Sequence, residues 1–235
     1  MGSEGTRRRG VPEPIPIVHD PLVGEKPRHR GRMHFVAFLA SIPLGVVLVV
    51  TGAHTPSARI ASTVFALSVT GLFGTSALYN LSLGTPRLRP WMRWVDHAMI
   101  YVLIAGSYTP VSWLALPRRW SVPLLAVVWI AAAGGMVLKL TSLKRFRRVG
   151  GTLYVTMGWM SVFALPQLVK RLTTTSVVLL GIGGALYTIG GILLLLRRPN
   201  PHAHFGYHEV WHTFVVLAVG CHFAMTYLTV DAVRI

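Results

Sequence analysis

Seven long apolar runs alternate with short polar, mostly basic stretches along the chain. They cover approximately 34–53, 60–84, 95–116, 120–140, 150–169, 176–196 and 206–229. Each approaches the roughly 20 apolar residues that a helix needs to cross a bilayer. The pattern predicts an all-α, polytopic membrane protein with seven transmembrane helices. The second run is weakly apolar on one face, where it carries Thr63, Ser68, Thr70, Thr75, Ser76 and Asn80. Pro110, Pro123 and Pro166 fall inside runs, where a missing N–H predicts a kink or an opening. Gly134-Gly135, Gly181, Gly183-Gly184 and Gly190-Gly191 predict close helix packing, because small residues let backbones approach where lipid gives no hydrophobic drive.

Composition agrees with this pattern. Of 235 residues, 52% are hydrophobic and 13% charged, about half the charge of an ordinary soluble domain. The mean hydropathy is +0.55. These values exclude a typical cytosolic enzyme and a disordered chain. The net charge of +16 would suggest nucleic acid in a soluble protein. Here the charges lie between apolar runs, so the expected partners are membrane lipids and not nucleic acid. Cys221 is the single cysteine, which excludes an internal disulfide and a cysteine-based zinc finger.

The basic residues predict an orientation. The segment before the first run and the second–third, fourth–fifth and sixth–seventh loops hold 17 of the 23 Lys and Arg residues; the other side holds 6. Cytoplasmic loops carry the excess, which places the N-terminus in the cytoplasm and the C-terminus outside. Localisation in the cell (plasma) membrane, as a multi-pass protein, is the matching expectation. Residues 1–33 read as a disordered basic cytoplasmic tail, with Pro12, Pro14 and Pro16 in a stretch that cannot be helical. Its cations can also attach to anionic head groups. Residues 34–235 form the seven-helix domain.

Charged and polar groups inside spans are costly and usually functional. In the predicted orientation, Ser76 and Asn80 end the second helix at the cytoplasmic side. Asp96 and His97 start the third helix there, and His208, Glu209 and His212 start the seventh. Three helices distant in sequence thus bring polar groups to one depth. His208 and His212 are four residues apart and share a helix face, a spacing that suits two imidazoles on one metal ion. His222 lies about 20 Å further along the axis, out of reach of that ion. The segment His208-Glu209-Val210-Trp211-His212 also spells HExxH, the pattern of zinc proteases, without a recognisable third ligand downstream.

At these residues the chain resembles the haemolysin III family, which belongs with the seven-helix progestin and adiponectin receptors. Ser76-Ala77-Leu78-Tyr79-Asn80 is similar to the family's Ser-x-x-x-His. The stretch from Asp96 to Pro110 is similar to its long third-helix segment. Gly206 to His212, followed by Cys221-His222-Phe223, is similar to its last-helix His-x-x-x-His. The resemblance implies a zinc ion held by three histidines, with His208 and His212 as two ligands. Asp96 and Ser76 would be the catalytic pair that supports a bound water. The third ligand position is Asn80, whose carboxamide oxygen is a poor zinc ligand compared with imidazole. Asp96 or His97 could take its place, or the site could be vacant.

Two functions compete. One is a zinc-dependent hydrolase of a lipid amide or ester, with the ceramidase-like chemistry that the resemblance implies. The other is a non-enzymatic protein, either a regulator of membrane homeostasis or a pore-forming, haemolytic one. A membrane protease of the HExxH type is a minor alternative.

Overall fold

The computed structural model describes residues 31–81, 87–140, 147–202 and 205–233. Residues 1–30, most of the expected tail, lie outside these. Among the described residues the chain is helical and forms no strand. Helix α1 spans Arg32–Thr51, and a single 3-10 turn, Gly52–His54, leads to α2, Pro56–Asn80. Then follow α3 (Arg89–Ala115), α4 (Arg118–Leu140), α5 (Arg147–Trp159), α6 (Ser161–Arg171), α7 (Thr174–Leu196) and α8 (Tyr207–Ala232). All seven expected spans are present; α5 and α6 together make the fifth, over Thr152–Arg171.

Local chemistry sets the helix starts. Thr55 is extended, and its Oγ1 accepts the Ala58 N–H at 3.1 Å with Pro56 in the first turn. Thr173 Oγ1 does the same for Ser176 N–H at 3.2 Å. Each bond satisfies an amide that the helix itself leaves unpaired. Helices α3 and α4 run unbroken through Pro110 and Pro123. The fifth span breaks at Met160, six residues before Pro166. Tyr108 of α3 fills that break. Its hydroxyl donates to Met157 O (2.8 Å) and Gly158 O (3.0 Å) and accepts from Ser161 N–H (2.8 Å).

Helices α2 and α3 sit at the centre. The weakly apolar face of α2 turns inward, burying Ser62, Ser68, Ser76 and Asn80, while α1, α4 and α7 show Val, Ile and Leu to the lipid. One core joins α1, α2, α3 and α8 through Leu48, Phe65, Phe73, Leu103, Val215 and Val219. A second joins α3, α4 and α5 through Tyr101, Tyr108, Val128 and Met157.

Small residues fix the registers. Along α1 and α2, Gly45 meets Ala66, Phe38 meets Gly74 and Gly31 meets Asn80. Along α2 and α3, Ser68 meets Gly106 and Gly71 meets Met99. Of the glycine pairs singled out in the sequence, Gly135, Gly183 and Gly190 face Tyr101, His222 and Phe214 respectively, whereas Gly134, Gly181 and Gly184 face open space. In each pair one glycine makes the close approach; Gly191, beside Gly190, meets Trp211 only at an ordinary contact distance of 3.8 Å.

Candidate functional site

The starts of α1, α3 and α8 and the end of α2 lie at one end of the bundle. The antiparallel register of α1 with α2 sets Gly31 against Asn80 and Leu81, where an added Cβ would lie 3.0 Å from both and crowd them. Gly31 also takes φ 95°, a left-handed conformation natural to glycine. The tight turn carries α1 into the bundle so that His34 lies inside it, 3% exposed. Met33 Sδ accepts the Thr213 hydroxyl at 3.7 Å and ties the same turn to α8.

His34 stacks on His212, with ring centroids 3.8 Å apart and planes 12° from parallel. The His208 ring lies 4.5 Å from that of His212, tilted by 60°. Phe73 of α2 meets the His34 ring edge-on at 5.2 Å. Three imidazoles and a phenyl ring thus join α1, α2 and α8. Neither nitrogen of His34 has a hydrogen-bond partner; the His212 backbone lies near, outside good geometry. Leaving a buried polar atom unsatisfied costs about 1–3 kcal/mol.

On α2, Ser76 and Asn80 form a unit. Asn80 Nδ2 donates to Ser76 O at 2.8 Å and to Ser76 Oγ at 3.2 Å, and both residues are buried. The α2–α3 register puts Asp96 at the depth of Ser76, since Met99 lies opposite Gly71. The side chain of Asp96 is 15% exposed and its Oδ2 is 3.6 Å from His97 Nδ1. His97 itself turns outward: its side chain is 42% exposed and its Nδ1 bonds Arg93 O at 2.7 Å. Its backbone carbonyl accepts the Tyr154 hydroxyl of α5. That leaves His97 a poor substitute for the third ligand.

Glu209, the acid of the HExxH pattern, is 1% exposed and accepts the Gly206 N–H on Oε2 at 2.9 Å. It caps the first turn of α8, helped by Asn200 Oδ1, which accepts the Tyr207 N–H at 2.9 Å. His222 packs between Gly183 and Tyr187 of α7, away from the imidazole cluster.

The donor chemistry suits zinc: imidazoles gather at a buried end, and one of them has two unpartnered nitrogens. The side chains stand short of a finished ligand set, because no three His, Cys, Asp or Glu among the described residues are arranged to hold an ion. His34 was not singled out from the sequence. It opens the first apolar run, directly after the basic tail. Extending the comparison of depths to the first helix would have included it.

A profile of the family described as haemolysin-III related matches residues 24–223. Hemolysin-3 of Bacillus cereus is 35% identical over 188 residues, covering 78% of this chain and 82% of that protein. A Hemolysin-3 homolog of Bacillus subtilis (strain 168) is 34% identical over 185 residues, covering 78% and 84%. The human monocyte to macrophage differentiation factor is 27% identical over 175 residues, covering 70% and 68%.

Proposed function

The chain belongs to the haemolysin-III-related family of multi-pass membrane proteins, and on that footing we propose that it is a metal-dependent hydrolase of a lipid amide or ester. The observation that carries the reading is the cluster of His34, His208 and His212 at the bundle end where α2 carries Ser76 and Asn80. The membrane is the plasma membrane, and the excess of basic residues assigns the site to its cytoplasmic leaflet.

His208 and His212 would hold the ion. Bound zinc would lower the pKa of a water to about 7 and polarise the substrate carbonyl. Asp96, at the depth of Ser76, takes a proton from the attacking water and returns it to the leaving amine or alcohol. Ser76 orients that water, and Asn80 holds Ser76 through its Nδ2. Phe73 and the neighbouring core exclude bulk solvent. An apolar groove of about 200 Å³ runs outside the same helix ends, lined by Thr75, Leu78, Leu88, Trp91, Met92 and Val95. It offers an acyl chain a path along α2 and α3. Glu209 serves the α8 N-terminus, so a water-activating role is not assigned to it.

The test is metal content together with product release. Protein purified in detergent should carry one zinc per chain and lose it in His208→Ala and in His212→Ala. The zinc-loaded protein should release fatty acid from a panel of ceramide-like amides and phospholipid esters. A second reading is a non-enzymatic regulator or lytic membrane protein. The name Hemolysin-3 of the Bacillus cereus relative and the unconverged side chains favour it. Metal-free wild-type protein with no lipid turnover would replace the first reading with the second.

A further inference from the structure

We infer that His34 is the third imidazole ligand of this site, standing in from α1 for the histidine that α2 lacks at Asn80. The inference rests on the metal reading above and assigns its missing donor. Four observations support it. His34 is 3% exposed, and neither ring nitrogen makes a hydrogen bond of good geometry, the nearest group being the His212 backbone. Its ring lies directly on His212, one of the two histidines expected to ligate. It meets Phe73, one turn before Ser76 on α2, and so lies beside the face that carries Ser76 and Asn80. Finally, Gly31 brings α1 against Asn80 itself, which places the start of α1 next to the position where the ligand is missing.

Burial without partners is not enough alone. The nitrogens of His222 are equally unpartnered, yet that ring has Tyr187 as its ring neighbour and lies on α7. His34 differs because two further imidazoles are within reach. Rings in parallel planes 3.8 Å apart cannot both contain one ion, so ligation rotates them out of the stack. The terminal torsion of histidine is broad and permits this rotation. Three neutral nitrogens then leave one position open for water, as catalytic zinc requires. Asn80 keeps its role as the hydrogen-bond partner of Ser76.

The experiment is a zinc titration of the full chain in detergent against a competing chelator. Helical circular dichroism and a single elution peak confirm the fold of every variant. His34→Ala should bind zinc at least tenfold more weakly than wild type. Asn80→His should recover that loss in the His34→Ala background, yet gain less than threefold in the wild-type background, where three imidazoles already serve. With Co²⁺ as the probe, the ligand-field absorption should change in His34→Ala and return in the double variant. If His34→Ala fails to fold, His34→Gln carries the test, since it fills the space without an imidazole. Wild-type affinity in His34→Ala, with loss in His212→Ala, overturns the assignment of His34 and leaves the metal reading intact. A loss in His34→Ala that Asn80→His does not repair overturns it as well, because the loss is then structural. Wild-type protein that binds no zinc overturns both.

Discussion

Replacing Tyr108 by phenylalanine removes one hydroxyl and leaves the ring in place. That hydroxyl is the partner of the Ser161 N–H, at 2.8 Å. Ser161 opens α6, so its amide has no acceptor within its own helix. In the hydrocarbon region water cannot take over. An orphaned buried donor costs about 1–3 kcal/mol. The bond that Tyr108 donates across helices adds about 0.6 kcal/mol, the average for such bonds in membranes. The expected loss is about 2 kcal/mol, or roughly thirtyfold in the folding equilibrium. Cys221, the single cysteine, is half-buried on α8 and serves as reporter. A thiol-reactive fluorophore follows its exposure as the protein is heated in detergent. Tyr108→Phe should unfold at a clearly lower temperature than wild type. Thr156→Ala is the control, because its exposed hydroxyl bonds only Thr152 O on its own helix. An unchanged midpoint in Tyr108→Phe, or an equal shift in the control, would refute the argument that the break in the fifth span depends on this bond.

Three further outcomes follow from the same geometry. Glu209→Ala should destabilise the protein by about 1 kcal/mol through loss of the α8 cap, while Glu209→Gln should keep its zinc; zinc loss in the glutamine variant would return Glu209 to the metal chemistry. Gly183→Val drives a side chain into His222 and should cost about 1–3 kcal/mol, whereas Gly184→Val, which faces open space, should unfold like wild type; equal shifts would contradict the α7–α8 register. A reporter enzyme active only outside the cytoplasm should be active when fused after Ile235 and inactive after Arg198, and the opposite pattern would move the site to the outer leaflet.

The seven spans were legible because the bilayer imposes length and hydropathy on every one of them. The inward face of α2 was legible too, since Ser68, Ser76 and Asn80 recur on one helical face and lipid would reject them. The break at Met160 was not. Pro166 drew attention because it lacks an N–H, but the chain opens where Tyr108 supplies a substitute partner, and that partner lies on another helix. At the site, the spacing of His208 and His212 gave two neighbouring rings, and that of Ser76 and Asn80 gave a bonded pair. His34 escaped because its significance is a tertiary one: it depends on Gly31 turning α1 against Asn80. Glu209 belongs to a five-residue pattern that reads as chemistry; in the structure its Oε2 caps α8, while its Oε1 is buried without a hydrogen-bond partner.

The imidazole cluster has a consequence for biosynthesis. Its rings come from α1 and α8, the first and the last of the described helices. Met33 and Thr213, which tie the same two helices, are 180 residues apart. At about 5–20 residues per second, roughly 10–35 s separate their synthesis. Throughout that interval α1 and α2 can pair, since their contacts are with each other, but His34 faces a gap that α8 has yet to fill. The imidazole cluster therefore assembles only once α8 has been made; until then α1 and α2 hold the His34 ring without its stacking partner. Synthesis of α8 is the step that gathers the three imidazoles.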